Sequence, residues 1–121
     1  MKIIKGKPEN FNVISGDDMM TIPVIAAGRS GVISVLANAF PAQCSELVAL
    51  SLKNNFKSAR EMQFRFLEII ELLFIEGNPS GVKSMLNILN ICQNNLRLPL
   101  VPVSRAIYSR IQKAMEEVNK I

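Results

Sequence analysis

Histidine is absent from this sequence, and its two cysteines, Cys44 and Cys92, lie far apart. Neither thiol belongs to a paired metal-ligand spacing, so no metal site is read from them. Both fall on expected apolar helix faces, which reads them as buried, reduced thiols. That usage points to a reducing, cytoplasmic setting. Long hydrophobic runs are missing too. The longest uncharged stretch, residues 30–45, is interrupted by Gly31, Asn38, Pro41 and Gln43. It is too short and too broken to span a bilayer, so no membrane partner is expected. The opening Met1-Lys2-Ile3-Ile4-Lys5 has no apolar core of useful length, and no signal peptide is read there. The formal net charge is only +4, and Lys2, Lys5 and Lys7 crowd the first seven positions while the other basic residues are scattered among acids. A basic stripe with interleaved aromatics is lacking, so no nucleic-acid partner is expected.

What is present is a globular composition, 49% hydrophobic and 20% charged over 121 residues, enough for one modest domain. Residues 1–4 read as the tail of a helix closed by Gly6 and Pro8. Residues 12–15 and 32–36 are short and apolar, without polar alternation. That pattern predicts two parallel strands covered on both faces. Between them, Asp17 or Asp18 caps a helix, since a short carboxylate accepts from first-turn N–H groups and complements the helix dipole. Pro23 sits early in that helix, and Gly28 closes it.

Pro41 starts the next helix, along which Cys44, Leu47, Val48 and Leu52 recur at helical spacing. Ser58-Ala59-Arg60-Glu61 has the capping-box pattern of a long helix, whose second half, residues 66–75, is apolar nearly all round. Asn78-Pro79 pairs an N-cap residue with proline at the first helical position. The inner stripe of that helix is Val82, Met85, Leu86 and Leu89. Residues 96–103, with two prolines, form an extended strap. Ser104 caps a last helix with the stripe Ile107, Tyr108, Ile111, Met115 and Val118.

Two βα units followed by three helices do not make an independent sheet. The α/β pattern suits the last two βα units of an eight-stranded (β/α)8 TIM barrel, residues 1–54, with a C-terminal helical appendage, residues 55–121. The alternative is a small α-rich domain with a minor two-stranded patch.

The stretches FNVISGDD at 11–18, GVISVLAN at 31–38, ELLFIEGNPSGVKSML at 71–86 and LRLPLVP at 96–102 together resemble one family. It is 4-hydroxy-tetrahydrodipicolinate synthase, also called dihydrodipicolinate synthase. The likeness runs over essentially the whole chain but covers only the C-terminal part of a family member. It implies a (β/α)8 barrel that condenses pyruvate with aspartate semialdehyde, through a lysine Schiff base and a tyrosine proton relay, in lysine and diaminopimelate synthesis. On that alignment the chain begins in the helix after the sixth strand. The Schiff-base lysine and the relay tyrosine would then lie upstream of Met1, leaving no catalytic residue in this chain. The resemblance also implies a homo-oligomer when the enzyme is complete, and no cofactor.

Among candidate site residues, Ile33 is implied by the resemblance to contact pyruvate through its backbone, its side chain offering no chemistry. Gly16 and Asp17 stand after the first strand and are expected to border the pocket, since glycine there lets a main-chain group approach a small ligand. For Asp17 and Asp18, helix capping outweighs a metal, because no third ligand is visible. Lys83 sits on a helix rather than at a strand's C-terminal end, and reads as structural. Tyr108, the only tyrosine, reads as packing, and Asn38 carries no chemistry. The related N-acetylneuraminate lyases tend to show an Asp-Glu pair and a GSTYN-like strand where Asp17-Asp18 and GVISVLAN stand here, which favours the synthase. Other pyruvate aldolases stay open. So does a non-catalytic half-barrel module, or a subunit complemented by a separate first half.

Overall fold

The computed structural model describes residues 2–119; Met1, with which the expected first helix begins, lies outside them. A short helix α1 (Lys2–Gly6) leads into a turn. Residues 12–15 then run extended to a tight turn, in which the Ser15 hydroxyl accepts from the Asp17 N–H (3.2 Å) and donates to the Asp17 carbonyl (3.0 Å). Asp17 caps a 3₁₀ turn (Asp18–Met20), its Oδ1 accepting from the Met19 N–H at 2.9 Å. The turn continues into α2 (Thr21–Ala26). Gly28 ends the helix at φ +89°, a conformation open to glycine without steric cost.

The two expected strands do not form. Residues 12–15 and 32–36 share one parallel bridge, Ser15 to Val32, with Ser15 N–H donating to Gly31 (2.9 Å) and Ile33 N–H to Ser15 (2.8 Å). The ladder stops there for a local reason. The amides of Val35 and Leu36 both donate to Asp18 Oδ2, at 3.0 and 3.2 Å, rather than to a neighbouring strand. Residues 36–38 then wind into a 3₁₀ turn (Leu36–Asn38). Nor are both faces covered, since Ile14 and Ile33 are exposed.

Pro41 opens α3 (Pro41–Leu52) at its first position, as expected. The next helix, α4 (Phe56–Phe74), starts two residues before the expected capping box. Asn55 is its cap, accepting from the Ser58 N–H at 3.4 Å, so Ser58 receives a cap rather than supplying one. Phe66, Ile69, Ile70, Leu72 and Leu73 are buried between α3, α5 and α6, while Phe74 emerges. Phe40 and Phe66 pack with ring centroids 5.2 Å apart, within the range of favourable tilted aromatic pairs.

Helix α5 (Ser80–Ile88) begins after a cis Asn78–Pro79 peptide. Pro79 occupies the cap position without a side-chain bond, so Asn78 is not the cap and Pro79 is not the first helical residue. Asn90, at φ +58°, lies just beyond the helix end. Cys92 consequently sits in the loop after α5, half-buried, and not on a helix face; Cys44 is also half-buried, and both are free thiols. Residues 96–103 cross the surface as a strap without regular structure, held where Ser80 Oγ donates to the Val101 carbonyl at 2.7 Å.

Ser104 caps α6 (Arg105–Asn119), its hydroxyl accepting from the Ile107 N–H at 3.3 Å. The same residue is clasped by Glu76 from beyond α4: Ser104 N–H donates to Oε2 at 2.6 Å and Ser104 Oγ–H to Oε1 at 2.7 Å. The backbone hydrogen bond and then the hydroxyl hold the Glu76 carboxyl below its ordinary pKa. A depressed carboxylate stabilises the fold above its unfolded pKa and loses that contribution as pH falls through its folded value. Protection factors of the amides over residues 104–108, normalised to intrinsic exchange at each pH, are therefore expected to fall as pH drops below the usual glutamate range. Glu76→Gln should abolish that acid step; an unchanged pH profile in the variant would show that the clasp does not hold the helix start.

Candidate functional site

The parallel bridge is what assembles the candidate site. It sets the turn at Gly16 beside Ile33, because Ser15, one residue before Gly16, takes the Ile33 N–H. That bond occupies the amide of Ile33 and leaves its carbonyl as the main-chain group available to a ligand. Ile33 is 74% exposed and lines an open groove of about 400 Å³ with Ile14, Val32, Ser34, Ala37 and Pro41. Gly16 and Asp17 are exposed at the same end of the bridge but do not line that groove. Open space surrounds the Gly16 Cα, so no close backbone approach within the chain demands glycine there. The Asp17 carboxylate is engaged in capping.

Asp18 divides the work with Asp17. Its carboxylate is buried and ties the first turn to the second through the Val35 and Leu36 amides. Its carbonyl accepts from Thr21 Oγ1 at 2.8 Å and from Gln63 Nε2 at 3.3 Å, and Gln63 Nε2 also donates to the Met19 carbonyl at 2.7 Å. Helix α4 thus reaches under the site with a buried amide. Gln63 was legible in principle: it interrupts the apolar spacing Ala59, Phe66, Ile70 on the inner face of α4, and a polar residue there needs partners. Cys44, on α3, approaches the same cluster. Burial pushes its thiol up to about 11, opposed by a hydrogen bond from Ser34 and reinforced by the Asp18 charge. An unionised, half-buried thiol is a poor nucleophile at neutral pH.

Tyr108 and Lys83 lie elsewhere. The Tyr108 hydroxyl donates to Asn87 Oδ1 at 2.8 Å, tying α6 to α5. Lys83 is half-buried on α5. The Asn38 amide donates to the Val35 carbonyl at 3.0 Å and closes its own turn. Among the described residues, no group of three or more cysteine or acidic side chains could hold a metal ion, and no helix is long and apolar enough to cross a membrane.

The Gly16 turn and the Gly-Val-Ile-Ser-Val segment, joined by a parallel bridge with helices behind them, find their match in one enzyme family. Residues 1–118 match the Dihydrodipicolinate synthetase family, and the chain belongs to it. It is 48% identical over 117 residues to the 4-hydroxy-tetrahydrodipicolinate synthase of Parabacteroides distasonis, covering 97% of this chain and 39% of that protein. The crystal structure of dihydrodipicolinate synthase from Aquifex aeolicus superimposes with a TM-score of 0.93 at 36% identity, over 98% of this chain and 40% of that one. The chloride-inhibited dihydrodipicolinate synthase from Acinetobacter baumannii, complexed with pyruvate, gives 0.86 at 29% identity, over 92% and 38%. The chain therefore spans about two-fifths of the length of the relatives it matches.

Proposed function

We propose that this chain is the C-terminal part of a pyruvate-dependent 4-hydroxy-tetrahydrodipicolinate synthase, a lyase of lysine and diaminopimelate synthesis. Residues 1–54 supply the last two βα units of a TIM barrel, and residues 55–121 supply its C-terminal helices. In the complete homo-oligomeric enzyme, pyruvate and aspartate semialdehyde meet at the end of the Ser15–Val32 bridge. The Ile33 carbonyl faces pyruvate, and Gly16 and Asp17 border the pocket. The observation that carries this reading is the pairing of Ser15 with Ile33. It leaves the Ile33 carbonyl without a hydrogen bond among the described residues at the end of a parallel pair, the end at which barrel enzymes place their chemistry. The groove beside it is open and mostly apolar, suited to a small acid held by backbone groups.

The chain by itself contributes binding groups rather than the Schiff-base amine. A Schiff-base lysine needs its pKa depressed by burial or a neighbouring cation, and it belongs at a strand's C-terminal end. The described lysines stand on α1, α4, α5 and α6, in the turn after α1 and at the end of α3, and none follows either extended segment. Borohydride reduction in the presence of pyruvate is therefore expected to leave the isolated chain unmodified by mass spectrometry. A stoichiometric adduct on Lys83 or any other lysine would overturn this assignment.

A further inference from the structure

Gln63, on α4, is buried, yet only one end of its amide is paired. Nε2 donates twice, to the Asp18 carbonyl at 3.3 Å and to the Met19 carbonyl at 2.7 Å, while Oε1 is fully buried without a partner. Turning the amide over would set its oxygen against those two carbonyls, so the identity of the two ends is fixed. A buried oxygen left unpaired costs stability. What glutamine adds over an apolar side chain of the same length is therefore the grip of Nε2 on the 3₁₀ turn.

That grip lies between a fixed support and the candidate site. Phe66, Ile69 and Ile70 anchor α4 in the core just beyond Gln63. The Asp18 carbonyl has a second donor, Thr21 Oγ1, but Thr21 opens α2, which continues the same turn and moves with it. Gln63 instead reaches the turn from 44 and 45 residues away. On its other side, Asp18 takes the Val35 and Leu36 amides just beyond Ile33. A chain of bonds thus runs from Gln63 through Asp18 to the segment that presents the Ile33 carbonyl.

We infer that Gln63 is a positioning residue for pyruvate, holding the Asp18 turn, and through it the Ile33 carbonyl, in place without touching substrate. This rests on the reading proposed above and adds to it the residue through which the C-terminal helices set the site.

The test compares two substitutions on α4. Gln63→Met keeps length and bulk but removes both donors and the unpaired oxygen. Ile69→Val opens the core at a fully buried position that makes no bond to the turn. In the 121-residue chain, Gln63→Met should hold its melting midpoint within about 3 °C, because the lost bonds and the relieved oxygen oppose each other. Protection of the Ile33, Val35 and Leu36 amides, taken relative to the amides of α4, should nevertheless fall at least roughly fivefold. Ile69→Val should do the reverse, lowering the midpoint and leaving that relative protection unchanged.

The kinetic arm joins the portion of the Parabacteroides distasonis synthase that this chain does not span to this chain, as one polypeptide. There Gln63→Met should raise KM for pyruvate at least roughly fivefold with kcat held within about twofold, since a displaced carbonyl is lost to ground and transition state alike. Ile69→Val should move neither constant. Unchanged relative protection in Gln63→Met, or a KM for pyruvate within about twofold of the unsubstituted polypeptide, would overturn the inference and leave the family reading intact. An unsubstituted polypeptide that gives no borohydride-trapped pyruvate adduct would overturn the reading itself, and the inference with it.

Discussion

Replacing Gly81 by alanine is expected to detach α5 from α4 and to destabilise the chain by about 3 kcal/mol, the upper part of the range for overpacking a close contact. A Cβ at this position would fall inside van der Waals distance of the Leu73 carbonyl oxygen, Cα and carbonyl carbon. These are backbone atoms of a helix whose neighbouring side chains are fully buried, so nothing there can swing aside. Relief requires moving α5 bodily, and α5 holds Met85 in the core and Tyr108 through Asn87. A chain of this size should lose about 10 °C in melting midpoint. Gly6, around which an added Cβ would meet nothing, is the control: an exposed helix-end glycine that tolerates alanine with little change. Equal midpoints for Gly81→Ala and Gly6→Ala would show that the helices do not approach as closely as the structure places them.

The Gly81 contact marks the limit of what the sequence carries. Signals that act within one turn of chain were readable: Pro41 opens a helix, Asp17 caps a turn, Ser104 caps another helix, and the double-proline strap stays irregular. The errors fell where a competing group lay close by or far off in sequence. Ser58 has the capping-box pattern, but Asn55 serves its amide first. Cys92 continues a helical spacing on paper, yet α5 has ended at Ile88. The apolar run at 32–36 carries strand propensity throughout, but its last two amides are taken by a carboxylate seventeen and eighteen residues back. No local pattern encodes that capture, nor the closeness of Gly81 to Leu73. At the candidate site, Ile33 came from family likeness rather than from chemistry legible in the residue. Asp18 is identified by its burial, which a single sequence does not display, whereas Gln63 leaves a trace as a polar break in the apolar face of α4.

Asp18→Ala is the second substitution with a large expected effect. Asp18 Oδ2 alone accepts from the amides of Val35 and Leu36, and both bonds lie between half-buried and buried groups. Alanine removes the acceptor and leaves two N–H groups turned into the interior. A buried donor without a partner costs about 1–3 kcal/mol, so the pair together gives an expected loss of about 3 kcal/mol in a denaturant melt. Asp18→Asn is the informative comparison: it retains one carbonyl oxygen able to take both amides and should cost well under half as much. The ordering of the two variants therefore reports on hydrogen bonding and not merely on volume. The functional consequence comes from position. The 3₁₀ turn at residues 36–38 holds the end of the Ile33 segment, and Asp18 is its anchor to the Gly16 turn. Once that anchor is gone, amide exchange at Ile33, Val35 and Leu36 should rise together, and the Ile33 carbonyl should lose its fixed place beside Gly16. Exchange confined to the two orphaned amides, with Ile33 as protected as before, would mean that the Ser15 pairing alone holds the candidate site.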